Sequence, residues 1–274
     1  MTTQVNGAGP PPPAGGSGGG TRLVLYRNPL RLVVSASLWR GVWYLAGYVF
    51  VTGWILFAVA LTATVTAAVF AVTLAGIPLL AAAAGVVRGC ANVERGRLHW
   101  VLTQPVRGRY LPVTRPGIIA QATTRWRDRA TWRDVAYLIG LWAPLFILDT
   151  IVFAIWLTFL AGITLPAWYW APENTFDNGL RAHGAQLGYF PNGPHGPGGH
   201  GLYVDTLPKA LLAAAVFLVL FLLFSYVLVI TARAHARIAR AVLRAPADPL
   251  AEAKEVLTHP GPLGPLNAGV PDMR

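Results

Sequence analysis

Forty-seven consecutive residues, 41 to 87, contain no Asp, Glu, Lys, Arg or His. One membrane crossing needs about 20 apolar residues. The run therefore predicts two helices, at about 41–62 and 65–87, joined by a short turn within Leu61-Thr62-Ala63-Thr64-Val65-Thr66. A single soluble helix of that length is excluded because its whole circumference would be apolar. A second apolar region runs from Val135 to Ala171, interrupted only by Asp149. It closes on Pro166-Ala167-Trp168-Tyr169-Trp170, an aromatic cluster suited to the headgroup level. A third runs uncharged from Ala210 to Ala232. Spans are expected at about 137–165 and 209–232. Charged residues make up 12% of the 274, against roughly 25% in soluble domains.

Orientation follows from the basic residues. Twenty of the 22 Lys and Arg lie in three segments: before residue 41, in the ten-arginine stretch 88–133, and after residue 232. Only Arg181 and Lys209 lie elsewhere. The positive-inside rule then puts the N-terminus, the central stretch and the C-terminus in the cytoplasm of a multi-pass inner-membrane protein. Anionic lipid of the inner leaflet is the natural partner of these arginines. The net charge of +11 does not indicate nucleic-acid binding, because no segment is long enough to form a folded basic domain.

The expected organisation is a disordered Pro/Gly tail at 1–21, a first membrane hairpin at 22–87 and an Arg-rich cytoplasmic linker at 88–133. A second hairpin at 134–245 follows, with an outer loop at 172–208, and then a flexible tail at 246–274. The two hairpins share words. Residues 39–47 (Trp-Arg-Gly-Val-Trp-Tyr-Leu-Ala-Gly) and 132–140 (Trp-Arg-Asp-Val-Ala-Tyr-Leu-Ile-Gly) agree at six of nine positions, at an offset of 93. Where each hairpin returns, Arg88, Ala91, Val93, Arg95 and Leu98 match Arg233, Ala236, Ile238, Arg240 and Leu243 at an offset of 145. The fold class expected is an all-α integral membrane protein: four transmembrane helices forming two tandem parallel hairpin repeats, related by an axis along the membrane normal. Trp39, Arg40, Tyr44, Trp132, Arg133 and Tyr137 read as inner-interface boxes, with indoles and snorkelling guanidiniums setting helix depth. The returning stripe with Arg88 and Arg95, like that with Arg233 and Arg240, reads as an amphipathic continuation at or beyond the membrane surface.

Few residues could carry chemistry. Asp149 is the one ionisable side chain inside an expected span, which makes it a candidate proton or cation site, or an interhelical hydrogen-bond anchor. The outer region offers Trp168, Trp170, Glu173, His183, His195 and His200 as ligand candidates. Histidines and carboxylates could bind Zn²⁺ or Cu²⁺ or respond to pH. His195 and His200, however, sit in a Gly/Pro run that offers no rigid scaffold, so a flexible loop without metal is expected. The lone Cys90 allows no disulfide within the chain. No nucleotide loop, nucleophile triad or HExxH is present, so neither an enzyme nor a cofactor is expected.

Trp-Arg-x-x-x-Tyr-Leu before a hairpin, Gly76-Ile77-Pro78-Leu79-Leu80, the Ala91-to-Arg95 box, Thr131-Trp132-Arg133-Asp134 and Pro166-x-Trp168-Tyr169-Trp170 together resemble the "putative sensor" domain of actinobacterial histidine kinases. The resemblance covers about 35 to 245 and implies a four-helix membrane domain feeding a cytoplasmic output. This chain departs from the kinases after its last span. Arg244 follows Leu243 where the phosphoacceptor histidine would be sought, and only 30 residues remain, too few for an ATP-binding domain. The expectation is a stand-alone sensor module of a two-component-like system. It would relay an outer or intramembrane signal to a separate cytoplasmic signalling protein, and a homodimer would suit that role. A small transporter using Asp149, or a structural scaffold, are the competing readings.

Overall fold

The computed structural model describes residues 20–71, 73, 76–114 and 116–245. The tails expected at 1–21 and 246–274 fall outside these residues, except for Gly20 and Thr21. Four helical stretches are long and apolar enough to cross a membrane: Ala36–Val69, Gly76–Leu98, Trp142–Ile163 and Leu207–Leu243. At about 1.5 Å per residue, the 22 residues of Trp142–Ile163 extend about 33 Å, close to a bilayer's hydrocarbon thickness.

The first stretch is compound. A short helix α1 (Pro29–Val34) starts at Asn28, whose side chain accepts from Leu30 N at 3.0 Å, with Pro29 pre-set for the first turn. Helix α2 (Ala36–Gly47) continues through a π-helical turn, Tyr48–Thr52, into α3 (Gly53–Val69). A side chain at Gly53 would place its Cβ 2.5 Å from Tyr48 O, so the widened turn requires glycine there. The turn expected at 61–66 is not present. Thr64 Oγ1 donates to Ala60 O at 2.8 Å within an unbroken helix, and the chain turns only between Val69 and Gly76. A threonine hydroxyl is as well satisfied by the i−4 carbonyl as by a turn.

Helix α4 (Gly76–Leu98) returns from that turn. The expected linker is then largely structured: α5 (Ile118–Arg127) and α6 (Arg129–Val135) fold back along α4. A second π-helical turn, Ala136–Gly140, leads into α7 (Trp142–Ile163) and the short α8 (Leu165–Trp168). The outer segment contains two antiparallel hairpins, β1 (Glu173–Thr175) with β2 (Arg181–His183) and β3 (Ala185–Tyr189) with β4 (His200–Val204). Phe176, Phe190 and Tyr203 form their small core, so this region carries β-structure where a flexible loop was expected. The 37-residue α9 (Leu207–Leu243) closes the fold.

The repeat extends to hydrogen bonds. Trp39 Nε1 donates to Val33 O at 3.1 Å, and Trp132 Nε1 donates to Trp126 O at 2.8 Å, again 93 residues apart. Ser35 and Asp128, at the same offset, are the N-cap positions of α2 and α6. The halves do not stand side by side in the same sense, however. The ring pairs Trp39–Trp156, Phe50–Phe153, Trp54–Phe146 and Phe57–Trp142 order α2 and α3 antiparallel to α7. Gly41 facing Leu228, Val229 and Ala232, and Tyr44 and Tyr48 against His235, order α2 parallel to α9. Thr64, Ala68 and Ile77, near the first hairpin's turn, share a groove with Ile119, Trp126 and Trp132, which precede α7. Shared words report shared local interfaces and carry no information on how two copies are turned. Here the leading helices of each half pack on the second helix of the other: α1 and α2 on α9, α5 and α6 on α4.

The three arginine-bearing segments meet at one junction. Arg22 N donates to Val101 O, Arg233 to Leu23 O, Arg240 to Gln104 and Arg133 to Arg244 O, while Ala245 N donates to Arg107 O. The two hairpins leave this junction in opposed directions.

Candidate functional site

Most of the buried ionisable side chains lie at the junction, in two adjoining networks. The inner one is a chain of contacts across four elements. Asp149 on α7 places Oδ2 2.5 Å from His235 Nδ1 on α9. His235 Nε2 lies 3.1 Å from the Tyr137 hydroxyl in the second π-turn, and that hydroxyl donates to Glu94 Oε1 on α4 at 2.9 Å. Glu94 Oε2 is 3.2 Å from Arg97 Nε, one helical turn on. The Arg97 guanidinium lies over the rings of Tyr44 (4.4 Å) and Tyr48 (5.0 Å) and reaches the Thr52 hydroxyl. Those same two rings stand edge-on to the His235 imidazole. Asp149 and Glu94 are fully buried and His235 is 1% exposed.

The single Tyr137 hydrogen is donated to Glu94 Oε1, which leaves the Tyr137 oxygen free to accept from His235 Nε2. Asp149 Oδ1 has no hydrogen-bond partner among the described residues. The arrangement connects Asp149 on α7 to Glu94 on α4 through one imidazole and one hydroxyl.

The outer network fixes α6 to α4. Arg95 Nη2 is 2.6 Å from Asp134 Oδ1, and the Tyr110 hydroxyl donates to Asp134 Oδ2 at 2.7 Å. Arg95 also donates to Leu243 O, the last residue of α9, at 3.2 Å. Arg88 pairs with Asp128 at 3.0 Å, donates to Thr131 and lies 4.3 Å over the Tyr110 ring. Burial pushes Asp134 above the usual carboxylate range, an effect opposed by the Tyr110 hydrogen bond and the Arg95 charge. Burial, together with Asp134, pushes Tyr110 up to about 12.

The sequence candidates separate by face. Asp149 is at the centre of the inner network. Tyr44 and Tyr137 turn inward to it, and Arg95 is buried and Arg88 part-buried, each in an ion pair. A carboxylate at the right turn of a neighbouring helix draws an arginine inward, and the stripe alone does not reveal that partner. Trp39, Arg40 and Trp132 remain exposed, while Arg133, Arg233 and Arg240 tie segments of the junction. The outer candidates do not converge. Trp168 bonds Thr164, Trp170 is exposed, and Glu173 makes only an exposed 3.8 Å contact with Arg181. His183 is on β2, His200 on β4 and His195 between β3 and β4. Among the described residues no three His, Cys, Asp or Glu side chains group as a metal site. Glu94, Arg97, Tyr48 and His235 were missed. Their only sequence trace is the spacing of Glu94 and Arg97 and the placement of His235 three residues past the last uncharged run.

A family model described as "Putative sensor" matches residues 44–243. The chain belongs to that family. The matched stretch begins at Tyr44, on the His235 imidazole, and ends at Leu243, whose carbonyl holds Arg95, so both networks lie within the sensor-family region. No curated protein and no solved structure matches the chain.

Proposed function

We propose that this sensor-family chain is a non-catalytic membrane module that converts a change at its helix junction into a change at the end of α9, read by a separate cytoplasmic signalling protein. The observation that carries the proposal is the continuity from Asp149 through His235, Tyr137 and Glu94 on α4 to Arg95, one residue on, which grips the last carbonyl of α9. A stimulus that favours one packing of these helices shifts the population of both networks together.

The test uses the full chain in native membranes, with a photo-crosslinker at the exposed Ile238 near the C-terminal end of α9. The expected product is a covalent adduct with one regulatory protein, whose yield changes when His235→Gln is introduced. Adducts with lipid or transport subunits alone would overturn the proposal. The buried Asp149–His235 pair, with Asp149 Oδ1 unpartnered, is the one feature favouring proton-coupled transport instead. On that reading Asp149→Asn abolishes flux in proteoliposomes.

A further inference from the structure

Every carboxylate at the junction is already committed: Glu94 to Arg97 and Tyr137, Asp128 to Arg88, Asp134 to Arg95, Asp149 to His235. The remaining acids among the described residues, Glu173, Asp177 and Asp205, belong to the outer segment. Several arginine side chains near the junction, Arg129 and Arg237 among them, have no hydrogen bond or ion pair among the described residues, and Arg22 and Arg40 are two of these that face a tryptophan-lined cavity. The guanidiniums of Arg22 and Arg40 make no hydrogen bond or ion pair with any described residue. Both line one cavity of about 480 Å³, whose other walls are Ala36, Trp39, Trp43 and Trp100. The Trp43 and Trp100 indoles are 66% and 56% exposed, and neither ring N–H has a partner among the described residues.

We propose that this cavity binds one acidic phospholipid. Its phosphate sits between Arg22 and Arg40, and its upper acyl chain lies along Trp39 and Trp43. Two unneutralised cations call for a ligand with net negative charge, which a zwitterionic headgroup does not supply. Three indoles call for an apolar body with a polar end, the chemistry of the headgroup boundary. Trp39, Arg40 and Trp43 belong to the membrane-length helical stretch that starts at Ala36, which selects a lipid over a free anion. The second half builds no equivalent. At the 93-residue offset Trp43 is replaced by Ala136, and Arg133, the counterpart of Arg40, donates to Arg244 O. This cavity therefore takes one lipid per chain.

The test titrates the full detergent-purified chain with phosphatidylglycerol or phosphatidylcholine and counts bound lipids by native mass spectrometry. One phosphatidylglycerol is expected to be retained. Its affinity should fall at least tenfold in Arg22→Gln/Arg40→Gln, and stay within twofold of the parent in Arg27→Gln/Arg31→Gln, which removes the same charge from the same segment. Equal loss in both double variants would overturn the proposal in favour of diffuse electrostatics, and equal retention of phosphatidylcholine would overturn the acidic specificity. Binding that arises only after removal of residues 246–274 would assign the cavity to the carboxylates of that segment instead. An unchanged melting temperature in Arg22→Gln/Arg40→Gln separates lost binding from lost folding.

Discussion

Tyr137→Phe removes one oxygen and no ring volume, so it probes the inner network without opening a cavity. The lost hydroxyl is the shared partner of His235 Nε2 (3.1 Å) and Glu94 Oε1 (2.9 Å), and all three residues are at most 1% exposed. Leaving a buried polar group unpartnered costs about 1–3 kcal/mol. Glu94 keeps Arg97 at 3.2 Å, and His235 keeps Asp149 at 2.5 Å, so neither is fully stranded. The summed cost is about 2–4 kcal/mol, which for a chain of this size lowers the melting temperature by about 4–16 °C. Tyr48→Phe is the matched control. Its ring packs on the same imidazole, but its hydroxyl makes no hydrogen bond among the described residues, so its expected cost is close to zero. The assay is thermal unfolding of purified protein in mild detergent, with all three proteins scanned at one rate. If the two variants melt together, or Tyr137→Phe melts above the parent, the hydroxyl is not the bridge described and the relay loses its middle link.

Two further outcomes are expected. Arg95→Met and Asp134→Leu each strand a buried charge and cost about 3–5 kcal/mol singly, while the double variant costs less than their sum; strictly additive losses in a double-mutant cycle would show that the 2.6 Å pair is not coupled. Gly162→Ala would bring a Cβ to 2.3 Å from Phe217 Cγ and destabilise the α7–α9 contact by about 1–3 kcal/mol. Phe217→Leu should restore part of that loss, and a failure to do so would place the strain elsewhere.

The site was legible in the sequence only where its chemistry violated its surroundings. Asp149 stands out because a carboxylate among apolar residues is costly wherever it points. His235 does not, because it lies among Arg233 and Arg237 where polar residues are ordinary. Glu94 likewise reads as one letter of a basic box until Tyr137 and Arg97 close around it. Burial and partner are properties of two segments at once, and a linear scan sees one.

The uncharged run at 41–87, the other apolar runs and the repeated words determine by themselves that this chain carries four helices long and apolar enough to cross a membrane and repeats one local sequence pattern. Those conclusions follow from solvation, which depends on what each stretch is made of. Only the tertiary structure decided that the first turn follows Val69, that the halves meet in opposed senses, and that Arg95 on α4 is buried in an ion pair while Arg40 has no partner among the described residues. The reason is that the same Trp-Arg-x-x-x-Tyr box meets different neighbours in its two copies. Arg133 finds the carbonyl of Arg244, whereas Arg40 faces a cavity walled by Trp43, a residue its second copy replaces with Ala136.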